Sequence, residues 1–102
     1  MTDTKQRKTG KAEMKSAVDS FLWNYHDSTG GTSEENHRGA AYNLTRIEKH
    51  AAIVTKLASN ASKPLLADSH LMEYALELIP AKVTKFREMY LPTNIIQFQK
   101  SA

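Results

Sequence analysis

The sequence predicts an all-α domain: a small bundle of about four helices, with one long central helix over about residues 33–59 and a disordered basic N-terminal arm. Three observations predict it. Apolar residues recur at three- and four-residue steps along most of the chain, the spacing of a helix face and not the alternation of a strand. The segments so marked are separated by Gly, Asn and Pro punctuation that stops helices. A chain of 102 residues that is 40% hydrophobic can bury one modest core and has little room for a second. The expected organisation is an arm over residues 1–10 and a helical domain over 11–102.

The arm, Met1 to Gly10, is polar and basic with no apolar run behind it. Lys5, Arg7, Lys8, Lys11 and Lys15 face only Asp3 and Glu13, whereas the nine basic and nine acidic side chains from residue 16 onward cancel. The whole net charge of +3 therefore belongs to the first fifteen residues. Such an arm suits salt-dependent contact with phosphates, or serves only to solubilise the chain.

The first predicted helix runs from about Lys11 to His26, on the stripe Met14, Ala17, Val18, Phe21, Leu22 and Tyr25. Asp27 to Ser33 follows, a cluster of turn formers holding Gly30 and Gly31. Thr32 with Glu35 three residues later reads as a capping box that starts the second helix. Ala40, Leu44, Ile47, Ala51, Val54 and Ala58 give that helix a seam with alternating four- and three-residue steps. Unbroken to Ser59, it would be about 40 Å long at 1.5 Å per residue. Gly39 is the place where it would break.

Asn60 to Pro64 is the next punctuation, with Pro64 suited to the first turn of a third helix. That helix carries Leu65, Leu66, Leu71, Met72, Ala75, Leu76 and Ile79, with Asp68-Ser69 as a second possible start, and it breaks or kinks at Pro80. The fourth, Ala81 to Leu91, presents Val83, Phe86, Met89 and Tyr90 before Pro92. The tail Asn94 to Gln99 is apolar enough to dock as an extended segment.

The absence of cysteine excludes a disulfide framework, a thiolate metal site and a cysteine nucleophile. No run approaches the roughly 18 apolar residues of a membrane span, and no secretory signal opens the chain, so a cytoplasmic protein with no membrane partner is expected. His26, His37, His50 and His70 are the candidate bases near neutral pH, but none stands in a nucleophile motif, so no catalytic residue is expected. Glu34-x-x-His37 and His70-x-x-Glu73, with Glu77 a turn further on, have metal-compatible spacing yet fall short of the pairs of motifs a helical carboxylate site needs. No metal and no cofactor are expected. Gly30-Gly31 follows no strand, and Glu34-Glu35 would repel a phosphate.

What remains is a non-enzymatic helical module acting stoichiometrically on another protein, as a small inhibitor, adaptor or regulatory subunit. Trp23 lies at the flank of the first stripe, and Trp, Tyr and Arg carry interface energy disproportionately. The expected partner surface is Trp23, Tyr25, Asp27, Thr29 and Arg38. Tyr42, Tyr74 and Tyr90 read as core. The expected homodimer seam is Leu44, Ile47, Ala51 and Val54, although helices of the same chain could cover it equally well. The alternative is a small nucleic-acid-associated regulator, with Lys5, Arg7, Lys8 and Lys11 of the arm and Lys82, Lys85 and Arg87 of the fourth helix on phosphates.

Overall fold

The computed structural model describes residues 8–91, which are helical almost throughout. In chain order the elements are α1 (Lys11–Thr29), α2 (Ser33–Arg38), α3 (Ala40–Ala58), α4 (Lys63–Ala67), α5 (Ser69–Glu73), a π-helical turn (Tyr74–Leu78) and α6 (Ile79–Tyr90). The bundle is the all-α architecture that the apolar periodicity predicts.

Local chemistry starts these helices where the sequence places the starts. Thr32 Oγ1 accepts from the Glu35 amide at 3.1 Å while the Thr32 amide donates to Glu35 Oε1 at 3.0 Å, so the capping box closes in both directions. Ser62 caps α4, with Pro64 in its first turn, and the Asp68 carboxylate accepts from the Leu71 amide at 3.0 Å to open α5. The turn before α2 is held by Asn36, which is buried. Its side-chain oxygen accepts from the Gly31 amide at 3.2 Å, and its nitrogen donates to the Gly31 carbonyl at 3.3 Å and to Tyr90 Oη at 3.4 Å. One amide group thus ties the turn to the end of α6.

α3 is the axis. Its Ala40, Ile47, Val54 and Ala58 form one buried cluster with Met14, Val18 and Phe21 of α1, Leu65 of α4, and Ala75, Ile79 and Phe86 of the C-terminal run. Every buried side-chain nitrogen and oxygen among the described residues has a hydrogen-bond partner, as a stable interior requires.

Four expectations are corrected here. The long helix is interrupted at Gly39, whose amide reaches back to the Glu35 and His37 carbonyls and ends α2. α3 is consequently 19 residues, about 28 Å, the same length as α1. Because its neighbours match it in length, they cover its seam: Ile47 and Val54 are 0% exposed, and Leu44 and Ala51 are packed against the same core. The proposed dimer seam, Leu44, Ile47, Ala51 and Val54, is therefore closed within the chain. Pro80 does not end a helix, because α5, the π turn and α6 run on from Ser69 to Tyr90. The Ile79 amide donates to the Tyr74 carbonyl five residues back, and this widened turn just before the proline accommodates a ring that a regular helix would crowd. The end of the arm is docked: Thr9 is buried, its amide donates to the Asn60 carbonyl at 2.8 Å, and its carbonyl accepts from Ser62 at 2.9 Å. Lys5, Arg7 and the tail 94–99 lie outside the described residues.

Candidate protein-binding surface

Trp23 and Asp27 are one turn apart on α1, and Tyr42 and Arg46 are one turn apart on α3, so each pair shares a helix face. The two pairs meet through Arg46. One guanidinium nitrogen, Nη2, donates to Asn24 Oδ1 at 2.6 Å; the other, Nη1, donates to Asn43 Oδ1 at 3.0 Å and to Asp27 Oδ2 at 3.3 Å. Its Cζ lies 5.9 Å from the centroid of the Tyr42 ring, within cation–π range. Asn24 is itself fixed by donating to the Ser20 carbonyl at 2.8 Å. A side chain that ordinarily samples many rotamers is thus held in place before any partner arrives.

The rings beside this arginine are open to solvent. Trp23 is 65% exposed and Tyr42 is 72% exposed, more than any other large hydrophobic side chain described. The result is a strip from Trp23 through Asp27 and Arg46 to Tyr42 that crosses the α1–α3 junction. It has apolar rings at its ends and a compensated ion pair between them. Such a surface offers stacking, apolar area and the arginine's remaining N–H donors, and carries little net charge.

Of the five residues expected here, Trp23 and Asp27 are brought together. Tyr25, two positions on, turns inward. It stacks on Phe21 at 6.1 Å, meets the edge of Phe86 at 6.3 Å, and has the Lys82 ammonium 5.1 Å from its ring centroid. Burial, with a smaller contribution from Tyr90, holds its hydroxyl above the usual tyrosine pKa. The Thr29 hydroxyl donates to the Tyr25 carbonyl at 3.0 Å and serves the helix end. Arg38 sits on α2, paired with Glu34 at 3.1 Å. Sequence reasoning missed Asn24, Asn43 and Arg46 and placed Tyr42 in the core. The legible signal was Tyr42 and Arg46 at i, i+4, off the apolar seam.

The lysines and arginines expected to contact nucleic acid are largely engaged elsewhere. Lys11 pairs with Asp68 at 3.5 Å, Lys82 covers Tyr25, and Arg87 pairs with Glu48, leaving Lys8 and Lys85 exposed without an ion pair among the described residues. The Asp68 carboxyl is held below its ordinary range chiefly by the Leu71 amide, with Lys11 adding to the effect. His37 faces the Ser33 carbonyl at 2.7 Å and the Tyr90 ring at 4.9 Å, and no group of three His, Asp or Glu side chains among the described residues could hold a metal.

Two grooves among the described residues, of about 340 and 330 Å³, fall at the small end of the roughly 300–1,000 Å³ range of ligand pockets. In the first, between α1 and α5, the charged groups satisfy one another: Lys15 pairs with Asp19 at 3.3 Å, and Asp68 with Lys11. No helix among the described residues is long and apolar enough to cross a membrane. Comparison with protein-family models, with curated proteins and with solved structures returns no match, so the surface is read from its own residues.

Proposed function

We propose that this chain is a non-enzymatic protein-binding module acting stoichiometrically, as an inhibitor, adaptor or regulatory subunit, through the Trp23–Asp27–Arg46–Tyr42 strip. The observation that carries the proposal is an arginine immobilised by three side-chain acceptors between the two most exposed aromatic rings described. Trp, Tyr and Arg are the residue types in which interface energy concentrates, and pre-ordering the arginine lowers the entropy lost on association. A cytoplasmic setting goes with this reading, because a chain without cysteine needs no oxidising compartment.

The test is affinity capture from the native source with the tagged full chain, compared with Trp23→Ala, Tyr42→Ala and a control, Lys85→Ala. Proteins retained by the wild type and the control are expected to be lost in parallel from the two aromatic variants, with helical circular dichroism unchanged. An identical set of bound proteins on all four baits would refute the assignment.

A further inference from the structure

A second surface lies where α4, α5 and the π turn meet. Leu66, Met72 and Leu76 form the apolar floor of the groove of about 330 Å³, with Ser69, Glu73 and Glu77 around it. Leu66 is 58% exposed and Leu76 is 52% exposed, so apolar area stands open that no helix among the described residues covers. The widened turn Tyr74–Leu78 carries Leu76 and Glu77, and such turns recur at functional sites.

The rim says what would cover the floor. Most other carboxylates of the bundle are matched: Asp19 by Lys15, Asp27 by Arg46, Glu34 by Arg38, Glu48 by Arg87 and Asp68 by Lys11, while Glu35 is used in a cap. Glu73 and Glu77 have no ion-pair partner among the described residues, a condition shared by Glu88 about three turns away. Two like charges at i, i+4 repel one another on the free surface, and a cationic partner relieves that repulsion. The same charges disfavour phosphates, which argues against a nucleic acid or an anionic lipid surface as the occupant.

We infer that this groove docks a cationic amphipathic helix of a partner protein. One or two apolar anchors would rest on Leu66, Met72 and Leu76, and flanking Lys or Arg side chains would meet Glu73 and Glu77. Helix-in-groove recognition of this kind reads anchors at i, i+3 or i+4 with charge complementarity at the rim. The surface is separate from the aromatic strip and shares none of its residues.

The experiment titrates an idealised leucine–lysine helical peptide of about 14 residues, four turns long, into the full-length, isotopically labelled protein. Amide shifts in its NMR spectrum are followed, with the leucine–glutamate peptide of the same pattern as control. The expected result is saturable shifts centred on residues 66–77, with affinity falling as salt rises from roughly 50 to 300 mM. Glu73→Gln with Glu77→Gln should weaken binding about fivefold and flatten the salt dependence, while Leu76→Ser should weaken it at every salt concentration. All three positions are exposed, and an unchanged spectrum away from the substitution verifies that each variant folds. Equal binding of the acidic peptide, shifts centred elsewhere, or no effect of the double Gln variant would overturn the proposal. Shifts at 66–77 that appear on concentrating the protein alone would also overturn it, in favour of a second copy of this chain.

Discussion

The α1–α3 face and the α4–π-turn face both expose large apolar side chains, yet they treat charge in opposite ways. On the first, Asp27, Asn24 and Asn43 surround Arg46, so the charges are compensated before binding and the rings supply the contact area. On the second, Leu66 and Leu76 lie beside Glu73 and Glu77, which have no ion-pair partner among the described residues. Exposed apolar area therefore does not by itself define a partner. The first face suits an aromatic or apolar partner whose binding changes little with salt, and the second a cationic one whose binding weakens as salt rises.

Both faces rest on one core, so the most severe way to break the comparison is to remove what they share. Phe86 is fully buried and contacts Tyr25 at 6.3 Å and Tyr90 at 4.8 Å. Phe86→Ala should cost about 3–5 kcal/mol in denaturant unfolding and abolish binding at both faces together. A loss below about 1 kcal/mol would mean that Phe86 contributes little to the packing on which both surfaces depend. A smaller effect separates local from global order. Thr32→Ala removes the hydroxyl of the capping box and should cost about 1 kcal/mol, read as a lowered midpoint of thermal unfolding, with both surfaces intact. An unchanged midpoint would show that α2 draws its stability from Asn36 and Tyr90 instead.

These effects also show what was legible in the sequence. Thr32 with Glu35, Ser62 with Leu65, and Asp68 with Leu71 are contacts across three residues, the kind that local spacing marks. Arg46 could not be read this way: it is bonded to Asn24 across 22 positions, and nothing local to either residue marks the pair. The nearness of Tyr42 to the stripe points to the core, and only the position of α1 settles that it faces solvent. The seam of α3 was legible as apolar but not as covered, because its coverage depends on where Gly39 shortens the helix and on how far α1 extends. Pro80 predicts a break or a kink because a regular α-helix crowds its ring, and the π turn that accommodates it leaves no mark in the composition.

The smallest effect concerns pH at the cap that opens α5. Asp68 is held below its ordinary pKa by the Leu71 amide and by Lys11, so its folded value is below its unfolded value. Between the two values the unfolded chain binds more protons, and stability rises with pH. The contribution is fully present above about pH 4 and is lost as pH falls through the folded value. Asp68→Asn should remove this acid-dependent part of the stability curve and leave the neutral-pH face unaltered. A curve below pH 4 that matches the wild type would assign the Asp68 charge no role.

The most direct test of the central claim uses Trp23 itself, the one tryptophan of the chain. Its fluorescence should be recorded while a protein retained in the capture experiment is titrated to saturation, using a tryptophan-free version of that protein. Covering a ring that is 65% exposed predicts a blue-shifted emission that saturates with binding and disappears in Trp23→Phe. The Glu73→Gln, Glu77→Gln variant should show the same shift, since those residues belong to the other face. Saturating association with no change in Trp23 emission would contradict the account.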